Sequence, residues 1–226
     1  MMGSIVSPDL RARVRAGAEP IARLFGRVGL TPNMLTLIGF GIAVIAAWAA
    51  ASQLWLAAGL LVAFGAVFDL FDGALARATG TTSRFGAFMD SVFDRAGEAV
   101  VYLGIAWGCY VAGFPATGLI AMAAMAAAFM VSYVRAKSES LGFTAGSGMA
   151  NVGLAPREVR TVILVVGLLV AGLFVGSQIG DYPAGVAGTQ TWQVALAAAL
   201  ALITILATIT TIQRIVHVYL QAKKEP

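Results

Sequence analysis

Six apolar runs, each about the length of a bilayer-crossing helix, dominate this chain. A spanning helix needs about 20 mostly apolar residues. The stretches at about 34–51, 53–76, 88–112, 115–134, 161–179 and 190–213 qualify. Their breaks are legible: Ser52-Gln53, Gly113-Phe114-Pro115, and a polar, glycine-rich turn starting at Asp181-Tyr182-Pro183. The pattern predicts an all-α integral membrane protein with six transmembrane helices. Composition agrees, with 59% hydrophobic and 12% charged residues and a mean hydropathy of +0.86. An ordinary soluble domain has roughly 25% charged residues. A soluble enzyme, a disordered chain and a nucleic-acid module are excluded, despite a net charge of +4. The single cysteine, Cys109, lies in an apolar run, so neither a disulfide framework nor a cysteine metal site is expected.

The basic residues orient the spans. Arg11, Arg13, Arg15, Arg23 and Arg27 precede span 1, while Arg77, Arg84 and Arg95 surround the junction of spans 2 and 3. Arg135, Lys137, Arg157 and Arg160 surround the next such junction, and Arg214, Lys223 and Lys224 follow span 6. The opposite connections carry none, so the positive-inside rule places both termini in the cytoplasm. Residues 9–28 set Leu10, Val14, Ile21, Leu24, Phe25 and Val28 at helical spacing against arginines, which predicts an amphipathic interfacial helix. No cleavable signal peptide is expected. The domain expectation is a cytoplasmic interfacial segment over 1–33, a transmembrane domain over 34–216 and a cytoplasmic tail over 217–226. Trp48, Trp55, Trp107 and Trp192 read as belt residues and His217 as a solvated one.

Against this apolar background the acids stand out. A carboxylate at mid-membrane costs at least about 2.5–3.5 kcal/mol on insertion scales. This chain places Asp69, Asp72, Asp90, Asp94 and Glu98 in or beside two neighbouring spans. Asp69 and Asp72 share one face of span 2, and Asp90, Asp94 and Glu98 recur every four residues along span 3. The short Arg77–Arg84 link lets both faces converge at one cytoplasmic depth. Carboxylates so gathered repel unless cations intervene. Hard divalent ions such as Mg²⁺ bind through carboxylates plus substrate phosphates, and a pair of them suits displacement at phosphorus. Internal pairing with Arg77, Arg84 and Arg95 is the bland alternative. Gly73 and Gly86 leave room for a ligand near the backbone, Ala76 keeps that face shallow, and Arg77 could hold a phosphate.

These residues spell Asp69-x-x-Asp72-Gly73-x-x-Ala76-Arg77, eight residues, then Gly86-x-x-x-Asp90-x-x-x-Asp94. The segment resembles the signature of the CDP-alcohol phosphatidyltransferase family, with every fixed position met. The resemblance extends over most of the chain, including the interfacial helix and the Thr31-Pro32-Asn33 turn. It implies Mg²⁺ or Mn²⁺ (two ions) on Asp69, Asp72, Asp90 and Asp94, with Asp94 also the catalytic base. It implies CDP-lipid binding by Asp69, Asp72, Gly73, Ala76, Arg77, Ser83 and Gly86. It also implies a homodimer in the plasma membrane, with the site facing the cytoplasm.

The second basic cluster addresses the acceptor. Ser132-Tyr133-Val134-Arg135-Ala136-Lys137, Arg160 and Gln213-Arg214 are similar to segments of actinobacterial phosphatidylinositol phosphate synthases. That resemblance implies that Arg135, Arg160 and Arg214 bind the phosphate of inositol 1-phosphate. The order of Arg135 and Lys137 is reversed from that pattern, and the loop Gly142 to Ala155 departs from it. Glycerol 3-phosphate is the alternative acceptor, since the Ser-Tyr-basic segment also occurs in phosphatidylglycerophosphate synthases. Positive-inside anchoring is the bland reading of the same arginines. Two other classes compete. An intramembrane prenyltransferase would separate its aspartate motifs widely, whereas here four aspartates fall within 26 residues. A cation transporter would place its acids near the midplane with repeat symmetry between halves.

Overall fold

The computed structural model describes residues 20, 24–143, 152–175 and 190–223. Among the described residues there are no strands, and six helices of 17 residues or more: α1 (Pro32–Ala51), α2 (Trp55–Thr79), α3 (Arg84–Val111), α4 (Pro115–Ser140), α5 (Arg157–Leu173) and α6 (Thr191–Ala222). Local chemistry starts and stops them. Thr31 caps α1 through its hydroxyl, which accepts from the Met34 amide at 3.3 Å, and Pro32 follows with its ring preset for helix. Gly80 closes α2 with a left-handed φ of 67°, a conformation costly for any residue with a Cβ. Ser83 then caps α3, accepting from the Gly86 amide at 2.9 Å.

Four helices (α1, α2, α4 and α6) are long and apolar enough to cross a membrane. The remaining two miss for identifiable reasons. α3 has 28 residues but carries Asp90, Asp94, Arg95 and Glu98, and α5 has only 17 described residues. Several helices outrun their apolar runs at one end. α4 continues to Ser140 and α6 to Ala222, past the expected boundary at 216, while α3 starts at Arg84. Hydropathy reports only the apolar part of a helix, whereas arginine, lysine and glutamine continue one readily. The expected interfacial helix over 9–28 lies mostly outside the described residues. Its described end is helical over 24–27, and Phe25 packs on Phe68 and Phe71 of α2 at ring separations of 6.0 and 5.6 Å.

The helices pack as a closed ring in the order α1–α2–α5–α6–α4–α3 and back to α1. Small residues set the spacing. A Cβ on Gly104 would strike the Ala47 carbonyl oxygen and one on Gly108 the Ala50 carbonyl oxygen, so α3 lies against α1 backbone to backbone. At one end of the ring Trp55 and Trp192 stack at 5.2 Å, sealed edge-on by Phe114. Such aromatic pairs contribute about 0.5–1.5 kcal/mol beyond their buried area. The opposite end holds the acids.

Candidate active site

The tight link from Gly80 to Ser83 turns α2 back into α3, so their acidic faces meet as the spacing predicts. Asp72 is 8% exposed, and its Oδ2 accepts from the Thr36 hydroxyl of α1 at 3.0 Å. Its other oxygen accepts from the Gly73 amide. Asp69 of α2 and Asp94 of α3 are joined through one guanidinium. Arg157 Nη2 donates to Asp69 Oδ2 at 2.7 Å, and its Nη1 lies 2.8 Å from Asp94 Oδ1. Arg95 Nη1 stands 3.7 Å from Asp94 Oδ2 while donating to the Ser91 carbonyl. Asp90 lies within electrostatic range of Asp69, Asp72, Arg157 and Arg95. All four aspartates therefore share one cluster, contributed by two helices and braced by a third and a fourth.

The donor set suits a hard divalent cation. It consists of carboxylates alone, and two of them, Asp69 and Asp94 from different helices, already pair with one guanidinium. Among the described residues no three acids close on one point; the Arg157 guanidinium bridges two of them.

Residues expected to hold the CDP-lipid sit beside this cluster. A Cβ on Gly73 would lie 3.2 Å from Arg77 Nη1, so the glycine gives the Arg77 guanidinium its resting place over the helix. A Cβ on Gly86 would lie 3.1 Å from Ser83 Oγ and 3.5 Å from Asn33 Oδ1, which explains why the capping turn takes glycine there. Ala76 is half-buried, while Arg77 and Ser83 are exposed.

The three arginines expected to meet the acceptor phosphate are gathered, with unequal freedom. Arg214 lies within electrostatic range of Arg135 and Arg160. Arg135 is half-exposed and paired with Glu139 at 2.8 Å. Arg160 is 1% exposed; its guanidinium takes both oxygens of Glu98 and also donates to the Ala155 carbonyl at 3.0 Å. Arg214 is 3% exposed and donates to the carbonyls of Val131 at 2.7 Å and Val152 at 3.0 Å. Together with Thr210, whose hydroxyl accepts from the Ala155 amide at 2.9 Å, these contacts staple segment 152–156 to α6.

Comparison with known proteins decides the family. The CDP-alcohol phosphatidyltransferase family profile matches residues 29–221. The chain belongs to that family. The chain is 38% identical over 173 residues to the archaetidylinositol phosphate synthase of Pyrococcus horikoshii, covering 76% of this chain and 85% of the relative. It is 36% identical over 205 residues to the phosphatidylinositol phosphate synthase of Cutibacterium acnes, covering 88% and 91%. The crystal structure of Mycobacterium tuberculosis phosphatidylinositol phosphate synthase with CDP-DAG bound superposes with a TM-score of 0.73 at 29% identity, covering 89% of this chain and 93% of that one. The same protein in complex with manganese and citrate gives a TM-score of 0.72 at 28% identity, covering 89% and 88%.

Within this phosphatidyltransferase, sequence reasoning missed the role of Arg157. There it served only to orient the spans, its role left open, because nothing in a linear string ties residue 157 to residues 69 and 94. It also missed that Glu98 has a private partner. The four-residue repeat Asp90-Asp94-Glu98 groups the three acids on one helix face, but tertiary packing separates the last from the others. Thr36 carried no signal beyond being a polar residue in an apolar run.

Proposed function

We propose that this enzyme transfers a phosphatidyl group from CDP-diacylglycerol to a hydroxyl of inositol 1-phosphate, releasing CMP. The observation that carries the reading is the meeting of two charge clusters at one end of the ring: the four aspartates with Arg157, and the gathered arginines 135, 160 and 214. A diphosphate donor suits the first and a phosphorylated acceptor the second. Relatives named for inositol phosphate products support the acceptor.

In this reading all six helices span the plasma membrane, with both termini and the site on the cytoplasmic face. The chain works as a homodimer. Residues 1–33 form an interfacial segment ahead of the catalytic helices of 34–216, and 217–226 form the tail. Asp69, Asp72, Asp90 and Asp94 would hold two divalent ions, Mg²⁺ or Mn²⁺, which when bound supply neutralisation of the diphosphate's charge. Gly73, Ala76, Arg77, Ser83 and Gly86 cradle the cytidylyl end of the donor. Asp94 accepts the proton of the acceptor hydroxyl. That oxygen bonds to the lipid-side phosphorus, the bond from this phosphorus to the bridging oxygen breaks, and CMP leaves with the electron pair. Arg135 faces the acceptor phosphate most freely, while Arg160 and Arg214 add charge and hold that wall in place.

The test is CMP release by purified enzyme with CDP-diacylglycerol and Mg²⁺ or Mn²⁺, across inositol 1-phosphate, glycerol 3-phosphate, free inositol and serine. Release with inositol 1-phosphate alone is expected. Release only with glycerol 3-phosphate would keep the aspartate chemistry and overturn the acceptor.

A further inference from the structure

Beyond its first turn, α1 carries a single hydroxyl, that of Thr36, in an otherwise apolar helix. That hydroxyl donates to Asp72 Oδ2 at 3.0 Å. One turn further on, a Cβ on Gly39 would lie 3.0 Å from Asp69 Oδ1. Thr36 and Gly39 are three residues apart on α1, as Asp72 and Asp69 are on α2. Residues so spaced share one helix face. Because α1 and α2 run antiparallel through the short link at Ser52, one register sets both contacts at once. The four residues line a single cavity, together with Asp94 and Arg157.

The two contacts do different things to the two carboxylates. A helical threonine often turns its hydroxyl onto the carbonyl four residues back. For Thr36 that acceptor is the Pro32 carbonyl, at 3.2 Å. The hydroxyl has one proton for two acceptors, and the carboxylate is the nearer and the charged one, which makes the stronger bond. Valine would fill the same volume and leave the apolar run unbroken, so the hydroxyl itself is what serves Asp72. The other Asp72 oxygen accepts from the Gly73 amide. Each carboxylate oxygen has about two lone pairs. Both Asp72 oxygens are therefore oriented by a donor, and both keep a lone pair for a cation. Asp69 has no such pair of donors. Its Oδ2 is held by Arg157, a half-exposed guanidinium, and its Oδ1 rests against the bare backbone of Gly39.

We propose that α1 is the positioning element of the divalent-cation site, with Thr36 and Gly39 as its positioning residues. Thr36 fixes the plane of the Asp72 carboxylate by donating to it, and Gly39 sets how far the Asp69 carboxylate can fall back from the cluster. The inference rests on the reading that the aspartates hold divalent ions. Neither residue touches substrate or metal. Partners of this kind, which orient a ligand without binding the ion, commonly contribute 10–100-fold to metal affinity or activity. Asp72 is then the pre-oriented ligand of the set, while Asp69 and Asp94 are free to rearrange once Arg157 releases them.

The test measures Mn²⁺ binding to the metal-free protein by titration calorimetry, and the thermal midpoint without metal, for wild type, Thr36→Val, Thr36→Ser, Gly39→Ala and Asp72→Asn. Thr36→Val should weaken Mn²⁺ binding by roughly 10–100-fold. Thr36→Ser, which keeps the hydroxyl, should restore most of that loss. CMP release by Thr36→Val should need correspondingly more Mn²⁺, with the maximal rate changed far less than the metal midpoint. Gly39→Ala should weaken Mn²⁺ binding a few-fold, because the added methyl displaces Asp69 Oδ1 by a few tenths of an ångström. Mn²⁺ affinity in Thr36→Val equal to wild type would overturn the inference, even with a lowered thermal midpoint, since the bond would then be a tie between helices only. Equal weakening in Thr36→Ser would also overturn it, by assigning the effect to the methyl group. Gly39→Ala leaves the hydroxyl in place and decides the matter if Thr36→Val does not fold; unaltered affinity there would count against the positioning role. The metal reading fails separately: Asp72→Asn binding Mn²⁺ as tightly as wild type would remove Asp72 from the ligands and the inference with it. Weak binding in Asp72→Asn beside intact binding in Thr36→Val would overturn the inference alone.

Discussion

Arg157 and Arg160 lie one turn apart on α5 and have opposite occupations. Arg157 is 39% exposed and spans two carboxylates from different helices, Asp69 and Asp94. Arg160 is sealed, donating to both oxygens of Glu98 and to the Ala155 carbonyl. Three residues advance a helix by about 300° at 3.6 residues per turn, enough here to move a guanidinium from the site into the packing between helices. A buried pair that loses one partner leaves an uncompensated charge and costs about 3–5 kcal/mol. A half-exposed cation among acids can instead exchange its partners for other ions at small cost. Arginines at one end of the helix bundle thus divide into scaffold and site by burial, and the basic residue alone does not tell which.

Several substitutions sharpen or break that division. The largest effect is expected on the site side. Asp94→Asn should lower CMP release by roughly 10²–10⁴-fold, the usual loss for a general base, with CDP-lipid binding and thermal stability largely kept. Normal turnover would remove Asp94 from that role. On the scaffold side, Arg160→Met should lower unfolding stability by about 3–5 kcal/mol, read from thermal unfolding in detergent. The double variant Glu98→Gln/Arg160→Met should recover most of that loss, and no recovery would mean the pair is not the unit described. A smaller effect is expected at Arg157, whose cation competes with metal for Asp69 and Asp94. Arg157→Gln should tighten Mn²⁺ binding by roughly tenfold, about 1.4 kcal/mol, as measured by titration calorimetry on the metal-free protein. Weaker Mn²⁺ binding would assign Arg157 to supporting the metal. Gly73→Ala should be mildest, because the flexible Arg77 guanidinium can move from the new methyl. It should raise the CDP-diacylglycerol KM a few-fold and leave the acceptor KM alone.

Much of this was legible before the structure. The apolar runs located the helices because membrane helices must be apolar over a known length. The two four-residue intervals from Asp90 to Glu98 placed one acidic face, and the short Arg77–Arg84 link let it converge on Asp69 and Asp72. Helix ends were less legible: α4 and α6 continue past their apolar segments because hydropathy and helicity part company at the membrane surface. The partnerships of Arg157 with Asp69, Arg160 with Glu98 and Arg214 with the Val131 and Val152 carbonyls join residues 62 to 88 positions apart. No periodicity records such distances.

The most direct test of the account identifies the products. Purified enzyme would be given CDP-diacylglycerol and inositol 1-phosphate, with divalent metal first chelated and then restored, and both nucleotide and lipid products analysed by mass spectrometry. The account predicts CMP and phosphatidylinositol phosphate in equal amounts, lost on chelation and recovered with Mg²⁺ or Mn²⁺. Phosphatidic acid with a cytidylylated acceptor would place attack on the other phosphorus. CMP release surviving chelation would contradict the role given to the aspartates.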